Sequence, residues 1–158
     1  MKYVFHGIFL VIFSIIQPTW LEYIAIFGVK PNLFLIYTVI ISCYCSKKEG
    51  AIIGFFFGLI LDLLTGNAIG LNGCLMLLVA FFTAHFCEKV IRNNTLPSIM
   101  VIVFVTTLFY ELLYYIIAFL GDLDLGNALL KVLIPECLYC SIASIPLYYI
   151  VPKTEKSV

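Results

Sequence analysis

The stretch that decides the fold is residues 49–66, which read EGAIIGFFFGLILDLLTG. Small residues and one acid recur in it four positions apart: Gly50, Gly54, Gly58, Asp62 and Gly66. On a helix this spacing forms a smooth strip that lets a second backbone approach closely, which is how helices associate in lipid. The stretch therefore predicts a membrane helix with a packing surface.

The composition of the whole chain agrees with a membrane location. Of 158 residues, 63% are hydrophobic and 11% are charged, and the mean hydropathy is +1.13. Soluble domains are about 45–50% apolar and about 25% charged. Nine Lys and Arg balance nine Asp and Glu, which excludes the basic excess of a nucleic-acid-binding protein. These values predict an integral membrane protein.

Six apolar stretches are separated by short polar or turn-forming breaks: residues 3–17, 32–46, 50–64, 69–86, 96–120 and 129–151. A bilayer core of about 30 Å needs about 20 helical residues. We therefore predict an all-α bundle of six transmembrane helices, forming one domain over residues 1–158. Pro18 and Pro31 are expected to stop helices, because proline lacks the amide that continues the ladder.

The segment between these two prolines is aromatic and apolar but too short to span a bilayer. We predict an interfacial or re-entrant half-helix, anchored by Trp20 and Tyr23.

Basic residues set the orientation, because they concentrate in cytoplasmic loops. With a cytoplasmic N-terminus, seven fall inside, namely Lys2, Lys47, Lys48, Lys89, Arg92, Lys153 and Lys156. Only Lys30 and Lys131 fall outside. The sequence thus predicts a multi-pass protein of the cytoplasmic membrane with both termini in the cytoplasm.

Three acids lie inside the predicted spans, and with one amide they form a predicted polar intramembrane cluster: Asp62, Asn72, Glu111 and Glu136. Apart from Lys131 at the outer end of the last span, no Lys or Arg lies within a span to pair with them. Either the acids are protonated and hydrogen-bonded, locking the bundle, or they form a site for a partner helix or ligand. The strip formed by Gly50, Gly54, Gly58, Asp62 and Gly66, called the glycine strip below, has two possible roles: packing within the chain or an interface with a partner chain.

Catalytic signals are weak. No nucleophile elbow, P-loop or HExxH motif occurs. Cys137 and Cys140 have CxxC spacing, but a zinc site needs a second pair. His6 and His85 are single residues near span ends. We therefore predict no catalytic residues, no metal site and no cofactor, and hence no enzyme.

Three motifs carry a resemblance to a known family. Pro31-Asn32 opens the second span, a GxxxGxxxGLxxDLxxG pattern runs from Gly50 to Gly66, and Gly70-Leu71-Asn72 follows. With six predicted spans, this order resembles the bacterial rod shape-determining protein MreD family, over roughly residues 17–120. The resemblance implies a non-enzymatic scaffold of the cell-elongation complex (elongasome) that supports cell shape and lateral peptidoglycan synthesis. It also implies a fold similar to the membrane substrate-binding components of energy-coupling-factor transporters.

The resemblance further implies partners. These are an MreC-type bitopic protein and, indirectly, MreB-type filaments and a RodA-type polymerase with its transpeptidase; a homodimer and membrane lipid are further expected contacts. We hypothesise that the glycine strip docks a transmembrane helix of the bitopic protein or of a second copy. The alternative is the substrate-binding membrane component of a vitamin or small-molecule transporter. Such components resemble one another in an alanine strip on the first span, which this chain lacks.

Overall fold

The structure, a computed structural model, describes residues 2–19, 30–66, 68–90, 95–118 and 133–151. All regular secondary structure in these ranges is helical. The described residues form six helices: α1 (Lys2–Thr19), α2 (Leu33–Tyr44), α3 (Lys47–Thr65), α4 (Leu71–Val90), α5 (Leu96–Ala118) and α6 (Ile134–Ile150). Each lies within one of the predicted apolar stretches or overlaps it closely.

Two helix boundaries differ from the expectation. Pro18 lies inside α1, which continues to Thr19; the prediction that this proline stops the helix is wrong, because membrane helices tolerate the loss of one ladder bond. α3 begins before Gly50, because Ser46 and Glu49 form a capping box that satisfies its first amides. The predicted half-helix with Trp20 and Tyr23 lies outside the described residues, as do residues 119–132.

The short helix α2 occupies the centre of the bundle. Every residue in it except Leu33 and Tyr44 is buried. Helices α3, α4, α5 and α6 all pack against it, and α1 contacts α2 and α3. The aromatic rings of Tyr37 and Phe57 stack at 4.9 Å between centroids and join α2 to α3. The core is therefore built around a helix that neighbours cover on all sides.

The outward faces of the bundle are apolar. Large hydrophobic side chains are exposed on the peripheral helices around α2, for example Val11 on α1, Phe82 on α4, Val105 on α5 and Ile142 on α6. Within the described residues, two segments are long and apolar enough to cross a membrane, the 18 residues Leu71–Glu88 and the 22 residues Leu96–Ile117. Soluble proteins rarely expose so much apolar surface, so this exterior suits lipid.

Helices α3 and α4 form an antiparallel hairpin with the most extensive contact of any helix pair in the described part of the chain. At one end Lys47 Nζ lies 2.7 Å from Glu88 Oε2. At the other end lies the turn after α3, where the candidate site begins.

Candidate functional site

Asp62 lies fully buried near the end of α3 and binds the start of α4. Its Oδ2 accepts hydrogen bonds from the backbone N–H groups of Gly70 (2.9 Å) and Gly73 (3.3 Å), and its Oδ1 accepts from Asn72 N–H (3.2 Å). The first amides of a helix have no partner within it. A carboxylate there also complements the helix dipole. Asp62 therefore caps α4 from the neighbouring helix.

The turn between α3 and α4 depends on two glycines with left-handed backbone conformations. Gly66 has φ +69° and caps the end of α3, and its N–H donates to the carbonyl of Asp62. Gly70 has φ +99°. A Cβ atom at Gly66 would meet nothing within 4 Å. The structure thus places Gly66 in the turn, outside the packing strip that its spacing predicted.

The other three glycines face helices of the same chain. A Cβ at Gly54 would lie 2.8 Å from Met76 O and 2.9 Å from Thr38 Cγ2. One at Gly58 would lie 2.6 Å from Gly73 Cα, and one at Gly50 would lie 2.9 Å from Ser42 Oγ. The strip therefore lets α2 and α4 approach α3 closely. The space that a docked partner helix would need is filled by the chain itself.

Asn72 connects three helices. Its backbone N–H donates to Asp62 on α3, and its side-chain Oδ1 accepts a hydrogen bond of 2.5 Å from the Tyr110 hydroxyl on α5. Both side chains are buried. This link brings two members of the predicted polar cluster, Asp62 and Asn72, into direct contact.

Beside this link lies a polar cavity of about 230 Å³. Each of the six helices, or the residue just before it, contributes to the lining: Gln17, Asn32, Thr65, Asn72, Tyr114 and Glu136. The contributing residues come from the carboxyl-terminal parts of α1, α3 and α5 and from the amino-terminal ends of α2, α4 and α6. The six helices therefore alternate in direction, and the cavity lies at one end of the bundle.

Glu111 on α5 and Glu136 on α6 line this cavity beside each other. The sequence predicts Lys30 in an outer loop; in the structure it lines the same cavity as the two acids.

Several lining residues were not singled out from the sequence as site residues, and two of them hold helix ends in place. Gln17 bridges α1 to the start of α2, because its Oε1 accepts from Leu33 N–H at 3.1 Å and its Nε2 donates to Pro31 O at 3.5 Å. Asn32 caps α2 by accepting from Leu35 N–H at 3.2 Å. The signal for Asn32 was present as an N-cap residue after a proline. Nothing local marks Gln17, because its partners are 14 and 16 residues away.

The remaining candidate residues serve packing. Cys137 and Cys140 are fully buried on one face of α6, and the described residues contain no group of three or more His, Cys, Asp or Glu side chains placed to hold a metal. His6 Nδ1 lies 2.6 Å from the Tyr37 hydroxyl and joins α1 to α2. His85 lies beside an apolar groove between α4 and α5.

A helical bundle with an apolar exterior and a polar cavity at one end defines a membrane-associated helical protein. The chain matches the family described as rod shape-determining protein MreD over residues 1–157. The chain therefore belongs to the MreD family, whose members are shape-determining components of the cell. A comparison with curated proteins found no match, and a comparison with solved structures found none either.

Proposed function

We propose that this protein is a non-enzymatic, multi-pass scaffold of the cell-elongation complex, which supports lateral peptidoglycan synthesis by holding partner proteins in the cytoplasmic membrane. The observation that carries the proposal is the match to the MreD family over residues 1–157. The helical exterior supports it, because the apolar side chains on the peripheral helices offer surface to lipid and to other transmembrane helices.

The proposed topology has six spans with both termini in the cytoplasm. The alternating direction of the helices supports it, since an even number of alternating spans returns the chain to its starting side. The salt bridge between Lys47 and Glu88 lies at the end of the bundle that the basic residues assign to the cytoplasm. The polar cavity then lies at the outer end.

The structure changes where a partner helix is expected to bind. The glycine strip is covered by α2 and α4, so we place the MreC-type contact on an outward face. On this proposal the strip acts indirectly, by holding α3 and α4 in one arrangement.

Site-specific photocrosslinking in cells tests this placement. A photoreactive residue is introduced at Val11, Phe82, Val105 or Ile142, which are exposed, and at Met76, which is fully buried, as the control. We expect a crosslink to the bitopic partner from at least one outward position and none from Met76. A crosslink from Met76, or from no outward position, would contradict the proposed surface.

Depletion of the protein in its host tests the role itself. We expect cells to widen and round, and a copy of the full chain to restore their width. Unchanged width after depletion would overturn the proposal.

The alternative is a substrate-binding component of a small-molecule transporter. The polar cavity is the observation that favours it, since six helices converge on it. At about 230 Å³, however, the cavity is smaller than the roughly 300–1,000 Å³ of drug-sized ligand sites. We therefore prefer the scaffold. A vitamin retained through purification and seen by native mass spectrometry would reverse that preference.

A further inference from the structure

The depth of the polar cavity sets what can reach it. All its lining residues lie within about 12 Å of a helix end, at 1.5 Å per residue. For a hydrocarbon core of about 30 Å, these residues lie in the half of the bilayer nearest one surface, within reach of the headgroups on that side. A ligand at this level is either a headgroup or a small solute from the adjoining water.

The lining carries charges of both signs. Glu111 is buried on α5 and lines the cavity together with Glu136 on α6. Lys30, which precedes α2, lines the same cavity. Tyr114 is a further lining residue. An ammonium group donates three hydrogen bonds and suits the carboxyl pair, and a phosphate suits a lysine.

The size of the cavity limits the ligand further. A volume of about 230 Å³ corresponds to about eight waters at roughly 30 Å³ each. That is enough for a short zwitterion and too little for a large ring system.

We propose that this cavity binds an aminoalkyl phosphate, with a primary ammonium on Glu111 and Glu136 and a phosphate toward Lys30. Phosphatidylethanolamine is the membrane source of this chemistry, and soluble phosphoethanolamine is its free counterpart. The inference needs the helices to be embedded in a bilayer, but it does not depend on the proposed scaffold role or on any partner.

Lipids that differ only in the methylation of the ammonium test the inference. The purified full chain is placed in nanodiscs of phosphatidylcholine with or without phosphatidylethanolamine, and thermal unfolding is measured. Ethanolamine offers three N–H donors and choline offers none. We expect phosphatidylethanolamine to raise the Tm by about 4 °C or more, and Glu111→Gln or Glu136→Gln to remove most of that difference.

Glu88→Gln is the matched control, because Glu88 is an exposed acid at the opposite end of the bundle; it should keep the full difference. Equal Tm values in the two lipids, or a full difference retained by both cavity variants, would overturn the inference. If the variants do not fold, native mass spectrometry of the wild type decides, and no preferential retention of phosphatidylethanolamine would overturn it. A second arm adds soluble phosphoethanolamine to phosphatidylcholine nanodiscs. A raised Tm there identifies the free solute as a source of the ligand, whereas a Tm raised only by phosphatidylethanolamine identifies the lipid headgroup.

Discussion

The carboxylate of Asp62 links two helices through three backbone hydrogen bonds, to Gly70, Asn72 and Gly73. A carboxylate offers two oxygens with lone pairs in several directions and no donor, which matches three converging N–H groups. An acid in this position needs neither a cation nor a partner protein to be stable. Its role is structural, and its effect on function passes through the position of α4.

Replacing Asp62 with Asn should destabilise the fold by about 1–3 kcal/mol. The amide has one oxygen in place of two, so at least one buried N–H at the start of α4 loses its acceptor. Unfolding of the purified protein in detergent measures the change. Glu88→Gln, which removes one exposed salt bridge, should cost less than about 1 kcal/mol; equal losses for the two variants would contradict this role for Asp62.

Replacing Gly66 with Ala should cost about 1–2 kcal/mol, because L-residues with a Cβ disfavour the left-handed conformation at φ +69°. Asn tolerates that conformation better, so Gly66→Asn should recover part of the loss. The same unfolding assay compares the two. No difference between them would mean that the backbone conformation at Gly66 is not what limits stability.

At the scale of elements, the hairpin of α3 and α4 has the most extensive helix–helix contact in the described part of the chain. The four-residue spacing of Gly50, Gly54 and Gly58 indicates a close helix contact, because small residues let backbones approach in lipid, and a Cβ at each of them would meet α2 or α4. Spacing describes only one helix, however. Which helix fills the strip depends on the turn after Gly66 and on the cap that Asp62 forms at the start of α4. The three amides that donate to Asp62 lie 8 to 11 residues further along the chain.

Alanine at Gly58 should lower stability by about 1–3 kcal/mol, because its Cβ would lie 2.6 Å from Gly73 Cα and the backbones would have to separate. Alanine at Gly7 is the matched control, since nothing lies within 4 Å of a Cβ there. Gly7→Ala should leave stability unchanged or raise it by up to about 1 kcal/mol. A loss at Gly7 as large as that at Gly58 would contradict this account of the strip.

At the scale of the whole molecule, burial sorts the six cysteines. Cys74 is exposed, and the other five are buried. N-ethylmaleimide should therefore modify one thiol in the folded protein in detergent and all six after denaturation, as intact-mass measurement will show. Rapid modification of Cys43 or Cys87, whose sulfur atoms lie 2.7 Å apart inside the bundle, would show that α2 and α4 are not packed as described.

The sequence predicts the parts of the site that depend on local patterns, and it does not predict contacts between residues that are far apart in the chain. Hydropathy alone located the six helices, because lipid demands apolar residues over a fixed length. The sequence shows that acids inside apolar spans are unusual, but it does not show which residues lie beside them. Glu111 and Glu136 are brought together by the packing of α5 on α6, and Lys30, from the segment before α2, lines the same cavity. Such encounters depend on tertiary packing, which no local pattern encodes.

The complete enclosure of α2 has a consequence for how the bundle would respond to a change in bilayer thickness. At 12 residues this helix is about 18 Å long, well short of a hydrocarbon core of about 30 Å. Because its neighbours surround it, its length does not have to match the lipid. Hydrophobic mismatch then acts only on the peripheral helices, which can tilt around a centre that does not change. A change in membrane thickness therefore acts on the peripheral helices before it acts on the packing around α2.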